Sequence, residues 1–351
     1  MMKLALRTVV SLAMSAVFIW LSLRHADLRA VGASIAAADP SRVAIYLALM
    51  LVVHLVRTVR WGILLEPLGQ VGFKRLNSAS AVGFMLLMVL PLRLGEFARP
   101  LLIARRPPGG GGVALRRSGA MASIVVERIV DGIFIGVLGI VALRTLGSSA
   151  AGRYVGFARQ ASVLVAAGFC GLCVAVVAAF FLRERAIALT RSLLTPLSPR
   201  LAARASSMMD GFIGALHLGS GWKLLAFFLL TALYWGLNMV GLGVLAPAFG
   251  FTALAPLMLA TILTTQVVGV MVPAGPGMIG TMQFFTQVGL SLFVADGFSA
   301  RAAGLANTIW LLQFGMQVTL GVVFLLVGHV SLKGLLGGAA AEDDTAAAAA
   351  P

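Results

Sequence analysis

The segment Asn77–Arg99 reads NSASAVGFMLLMVLPLRLGEFAR, and its apolar run, 77–92, halts at Pro91. Basic residues crowd both of its sides. Arg57, Arg60, Lys74 and Arg75 precede it, and Arg93, Arg99, Arg105, Arg106, Arg116 and Arg117 follow. Loops rich in Arg and Lys stay on the cytoplasmic side of a membrane, so a simple crossing would strand one of the two groups outside. The expectation is a re-entrant hairpin that enters from the cytoplasm, turns near Pro91 and returns. Non-helical backbone at membrane depth is tolerated only where protein or a wet cavity surrounds it. This hairpin therefore belongs inside a helical bundle, lining something.

The rest of the chain supplies that bundle. Of 351 residues, 60% are apolar and 11% charged, with a mean hydropathy of +1.00. A soluble domain carries roughly a quarter charged residues, which excludes that class. Apolar stretches able to cross a ~30 Å hydrocarbon core recur along the chain. They lie at about 7–23, 43–65, 120–143, 160–182, 223–246, 254–272, 279–295 and 303–328. The net charge of +15 sits between spans and reads as positive-inside patterning, with no nucleic-acid partner expected. The first run lacks a clear cleavage site and reads as a retained span. The fold class expected is an all-α polytopic membrane protein of about eight transmembrane helices, with one or two re-entrant elements broken by Pro and Gly. One transmembrane domain spans 1–337, and the Ala-rich, acidic 338–351 reads as a disordered tail. Basic residues at 183–204 (Arg183, Arg185, Arg191, Arg200 and Arg204) agree with an inner, cytoplasmic membrane location and both termini inside.

The second half echoes the first. Leu90-Pro91 with Gly95 and Val272-Pro273 with Gly277 share an apolar-Pro-x-x-x-Gly pattern after an apolar run. Two broken elements in corresponding places, entering from opposite faces, point to an inverted-repeat transporter. Pro91, Gly95, Pro273, Pro276 and Gly277 are the backbone positions that carry it.

Ionisable groups at bilayer depth cost at least ~2.5–3.5 kcal/mol each and face a partner in the bundle interior. Arg93, Glu96 and Arg99 are three apart and would form one ladder of alternating sign on a helix. Glu127 and Asp131 share a helix face, with Arg128 beside them. Either Glu96 or Asp131 is expected to pair with an Arg from the other of these two elements. An Arg with donors to spare, Arg93 first, could hold a lipid phosphate. The other reading is an ion-pair network that only pins the hairpin. Arg57, Arg60 and Trp61 read as a snorkelling anchor at the interface, with headgroup contact the alternative. Asn238 and Gln283 sit within apolar runs and need hydrogen-bond partners there, from a neighbouring helix or a substrate.

Other signals carry little. Cys170 and Cys173 have C-x-x-C spacing inside a span and read as small apolar residues. Gly109–Gly112 lacks the Lys-Ser/Thr of a phosphate loop and reads as a linker. The four histidines form no metal-binding pattern, so neither metal nor cofactor is expected.

The residues Arg57-Thr-Val-Arg60-Trp61, Leu90-Pro-x-Arg93-x-Gly95-Glu96-x-x-Arg99, Glu127-Arg128-x-x-Asp131, Tyr234-Trp235-x-x-Asn238 and Pro273-x-x-Pro276-Gly277-x-x-Gly280-x-x-Gln283 occur in that order. The chain resembles, over about 40–330, the lysylphosphatidylglycerol synthase transmembrane-region family, the flippase-like half of multiple peptide resistance factors. Where the family usually has Asn-Asn before Leu-Pro, this chain has Leu87, Met88 and Val89. The resemblance implies phospholipid movement between leaflets. No aminoacyl-transferase domain accompanies it here, so synthesis of lysylphosphatidylglycerol is not expected. A flippase for an anionic phospholipid or lipid-linked headgroup is the leading expectation. A lipid-modifying or glycosyltransferase-related enzyme and a scaffold in lipid synthesis are the alternatives. Candidate protein partners are a second copy of the chain or a lipid-synthesis protein.

Overall fold

The structure, a computed structural model, describes residues 2–24, 26–90, 95–104, 115, 117–146, 154–196, 198–199, 202–203, 205–206, 221–272 and 274–327. No strand occurs among them. Helix ends follow local chemistry. The Asp39 carboxylate accepts from the Ser41 amide at 2.9 Å and starts α3, Pro40–Leu65, with proline in its first turn. Asp27 caps α2, Leu28–Ala36, in the same way. Ahead of them, α1 covers Met2–Leu23.

The two proline breaks also have a local cause. A residue before proline is driven out of the helical region by the proline ring. Leu90 accordingly turns extended (φ −84°, ψ 138°) and ends α4, Phe73–Val89. Val272 (φ −68°, ψ 129°) likewise ends the later Pro256–Met271 helix. After the first break comes a short turn at 95–97 and then α5, Ala98–Ala104. Glu96 is in the turn and Arg99 in α5, so the Glu96–Arg99 part of the expected ladder is not one continuous helix. Pro91 and Arg93 lie outside the described residues.

The chain then runs through α6 (Arg117–Leu146), α7 (Val155–Phe181), α8 (Arg183–Leu194) and α9 (Gly221–Leu245). It finishes with α10 (Pro256–Met271), α11 (Thr281–Ser291) and α12 (Ala300–Leu326). The α2 segment had no counterpart in the sequence reading, and the run expected at 279–295 is helical only over α11. Pro40–Leu68, Gly221–Phe249 and Ala300–Leu326 are each long and apolar enough to cross a bilayer alone. At 1.5 Å per residue, the 30-residue α6 and 27-residue α7 have length enough too. The chain is thus a multi-pass helical membrane protein.

Two antiparallel hairpins sit inside the bundle. In the first, Gly95 lies on the backbone of Leu86 and Leu87, Arg99 lies on Gly83, and Arg75 donates to the Ile103 carbonyl at 2.8 Å. Residue number rises along one arm as it falls along the other. In the second, Gly269 faces Phe285 and Gly289 faces Ile262 and Thr265. Each hairpin is flanked in sequence by longer helices: α3 and α6 for the first, α9 and α12 for the second. Their ends meet. Met278 packs with Phe84 and Leu87 in one apolar cluster, joined by Met88 and Val270. The Trp310 indole N–H donates to the Gly277 carbonyl at 2.8 Å and ties this meeting point to α12. Pro273, the 105–114 loop with its glycines and the 328–351 tail fall outside the described residues.

Candidate functional site

Glu127 and Asp131 stand one turn apart on α6 and point at α3. There Arg60, fully buried, spans both carboxylates. Its Nη2 donates to Glu127 Oε1 at 2.8 Å and to Asp131 Oδ2 at 2.9 Å, while Nη1 bonds Asp131 Oδ1. Thr231 and Trp235 of α9 also reach this knot, the latter donating to Asp131 Oδ1 at 3.3 Å. Glu127 Oε2 accepts from Arg99 Nη1 at 3.1 Å. Arg128 Nη2 stands 3.4 Å from both Glu127 Oε1 and Asp131 Oδ2. The pair that joins the 95–99 segment to α6 is Arg99 with Glu127, whereas Asp131 pairs with Arg60 of α3, which the sequence does not suggest.

The snorkelling reading of Arg60 and Trp61 is overturned. Both are completely enclosed, and the Trp61 indole donates to Ser123 at 2.9 Å. A guanidinium can be buried this deeply because two carboxylates on α6 meet it, and removing one partner from such a network typically costs ~3–5 kcal/mol.

Arg57 differs. It lies one turn before Arg60 on α3, yet among the described residues it forms no ion pair. Its guanidinium instead lies over the Phe84 ring at 3.7 Å, with Tyr234 at 5.5 Å. Arg99 also approaches the Phe84 ring, at 4.4 Å, and the Trp61 ring at 4.3 Å. A desolvated cation–π contact contributes ~2 kcal/mol, less than a carboxylate would. Phe84 thus holds two guanidinium groups close together without neutralising either one.

Arg57, Arg99 and Arg128, with Glu96, Gly83, Phe84, Leu87 and Ile124, line a narrow cleft with room for about one water-sized group, which must widen to admit a headgroup phosphate. Donors are left over around it: Arg57 Nε, Arg99 Nε and Nη2, and Arg128 Nε are buried without a hydrogen-bond partner. Buried donors without acceptors are unfavourable by ~1–3 kcal/mol each. An oxyanion would supply acceptors and charge together, and planar guanidinium forks suit its geometry.

The expected site residues divide accordingly. Arg60, Glu96, Arg99, Glu127, Arg128 and Asp131 come together. Asn238 lies one turn beyond Tyr234 but donates to the Tyr234 carbonyl of its own helix at 2.7 Å rather than to a neighbour. Gln283 is elsewhere: its Oε1 accepts from the Gly280 amide at 2.8 Å and caps α11. Gly95 and Gly277 are at the two hairpin ends. Arg57 and Phe84 were missed as site residues, although the Arg57–Arg60 spacing of three already placed both cations on one helix face. Cys170 and Cys173 are free thiols, and no cluster of metal-binding side chains occurs among the described residues.

Residues 8–328 match the family described as lysylphosphatidylglycerol synthase TM region. No curated protein and no solved structure gives a significant match.

Proposed function

This chain belongs to the lysylphosphatidylglycerol synthase transmembrane-region family, and we propose that it moves an anionic phospholipid or lipid-linked headgroup across the cytoplasmic membrane. One observation carries the proposal: a cleft edged by three arginines in which Arg57, among the described residues, forms no ion pair. The lipid phosphate occupies the cleft and accepts the spare donors of Arg57, Arg99 and Arg128, while the acyl chains stay in the bilayer. The joined ends of the two hairpins, at Leu87 and Met278, separate the cleft from the opposite half of the bundle. Opening that apolar contact gives the headgroup its path. The helix–hairpin–helix order of both halves supports an inverted repeat, with both termini cytoplasmic.

A lipid-modifying enzyme would need a carboxylate free to act as a base. Glu127 and Asp131 are instead tied to Arg60, Arg99 and Arg128, and Glu96, the third carboxylate at the cleft, acts on the Arg128 charge, which favours transport. Reconstitution in liposomes with fluorescent phosphatidylglycerol separates the two readings. Transport predicts scrambling of chemically unchanged lipid, abolished by Arg57→Gln. A modified lipid product, or scrambling equal to that of protein-free liposomes, would overturn it.

A further inference from the structure

His54 is buried, 3% exposed, one turn before Arg57 on α3. Its Nε2 meets the Asn77 side-chain oxygen at 3.1 Å, so Nε2 carries the hydrogen of the neutral ring. The other nitrogen, Nδ1, is enclosed and has no hydrogen-bond partner. The ring stands edge-on to Phe84, with centroids 5.9 Å apart and planes at 76°. This is the same Phe84 that carries Arg57 and Arg99 over its ring. His54 is therefore one aromatic ring away from the two cations that the proposed anion would neutralise.

The charged groups that act on the imidazole are Arg57, on its own helix, and Arg99, from α5. Against it, α4 offers only the neutral Asn77 and Phe84. With the cleft empty, Arg57, which forms no ion pair among the described residues, opposes a further positive charge in a low-dielectric interior, whereas Glu127 already offsets much of Arg99. A phosphodiester in the cleft cancels much of that opposition. By linkage, whatever the anion does for the proton, the proton does for the anion.

We infer that His54 takes up one proton when a lipid phosphodiester occupies the cleft, so that anion and proton bind, and cross, together. The inference rests on the anion-site reading above. The proton comes from solvent, forms the Nδ1–H bond and returns to solvent on release, and no other bond changes. The activity is then proton-coupled lipid transport, which a proton gradient can drive.

The test uses the full chain in detergent and dihexanoyl phosphatidylglycerol, followed from about pH 4.5, where the phosphodiester is still ionised, to about pH 8.5. Wild-type affinity should rise as pH falls, by at most about tenfold per pH unit for a single linked proton. His54→Gln keeps an uncharged polar group there and should bind with an affinity independent of pH. Arg57→Gln should bind weakly at every pH. Proton uptake by wild type in weakly buffered solution needs no variant, and should approach one per lipid bound in the range where His54 titrates. Binding that is pH-independent and without proton uptake in wild type would overturn the coupling alone, as would an equal pH slope in His54→Gln. Absence of lipid binding to wild type at every pH would overturn the anion-site reading and the coupling with it.

Discussion

Arg57 and Arg60 are separated by one helical turn and have opposite energetic roles. Arg60 bridges two buried carboxylates, so Arg60→Gln leaves Asp131, among the described residues, with the longer Arg128 ion pair alone and should destabilise by about 3–5 kcal/mol. Arg57 forms no ion pair among the described residues, so Arg57→Gln removes a cation that no carboxylate contacts there and should leave stability in detergent unchanged or raised. Thermal unfolding of both variants, with and without dihexanoyl phosphatidylglycerol, reads both effects. Arg57→Gln should lose the stabilisation by lipid that wild type shows. A fall in stability for Arg57→Gln as large as that for Arg60→Gln would mean that both arginines merely pin the bundle. Phe84→Leu keeps apolar volume but removes the ring that Arg57 and Arg99 share, and should weaken lipid binding more than it lowers stability.

At the level of elements, each hairpin depends on close backbone approach. A Cβ on Gly95 would overlap the backbone of Leu86 and Leu87, which cannot rotate away. Gly95→Ala should cost upwards of ~2 kcal/mol and pull α5, with Arg99, off α4. Gly236, with nothing within 4 Å of a built Cβ, is the matched control, and Gly236→Ala should be silent in the same unfolding experiment. Gly277 holds φ +66° and faces Phe314 at 2.9 Å from a built Cβ. Leucine there would meet both backbone strain of ~1–2 kcal/mol and a clash, so Gly277→Leu should reach the membrane and fail to transport. If α4 and α5 form a re-entrant hairpin, cysteines placed at Gln70 and Gly110 are labelled from the same, cytoplasmic face. Labelling from opposite faces would make α4 an ordinary span.

For the whole molecule, the contact between hairpin ends is the place where two halves of the chain can separate. In a background with Cys170→Ser and Cys173→Ser, the pair Leu87→Cys and Met278→Cys should form a crosslink that halts transport. Reductant should restore it, and lipid binding at the cleft should survive in both states. Undiminished transport in the crosslinked protein would place the path elsewhere.

The sequence by itself determined whatever physics keeps within a few residues. Composition set the solvent as a bilayer. Pro91 and Pro273 ended helices at Leu90 and Val272, because a proline ring excludes helical backbone at the residue before it. Gly95 after the first break allows α5 to lie back on α4, and the basic residues on both sides of 77–92 already suggested that the chain returns there. Tertiary structure decided what depends on distant partners. Nothing around position 60 says that Glu127 and Asp131, about seventy residues later, will reach Arg60 and not Arg57. Nor does the apolar Leu87 disclose that Met278 will cover it. A turn is settled by the sterics of neighbouring residues, whereas an ion pair or a seal is settled by which faces the packed helices bring together, and only the fold holds that information.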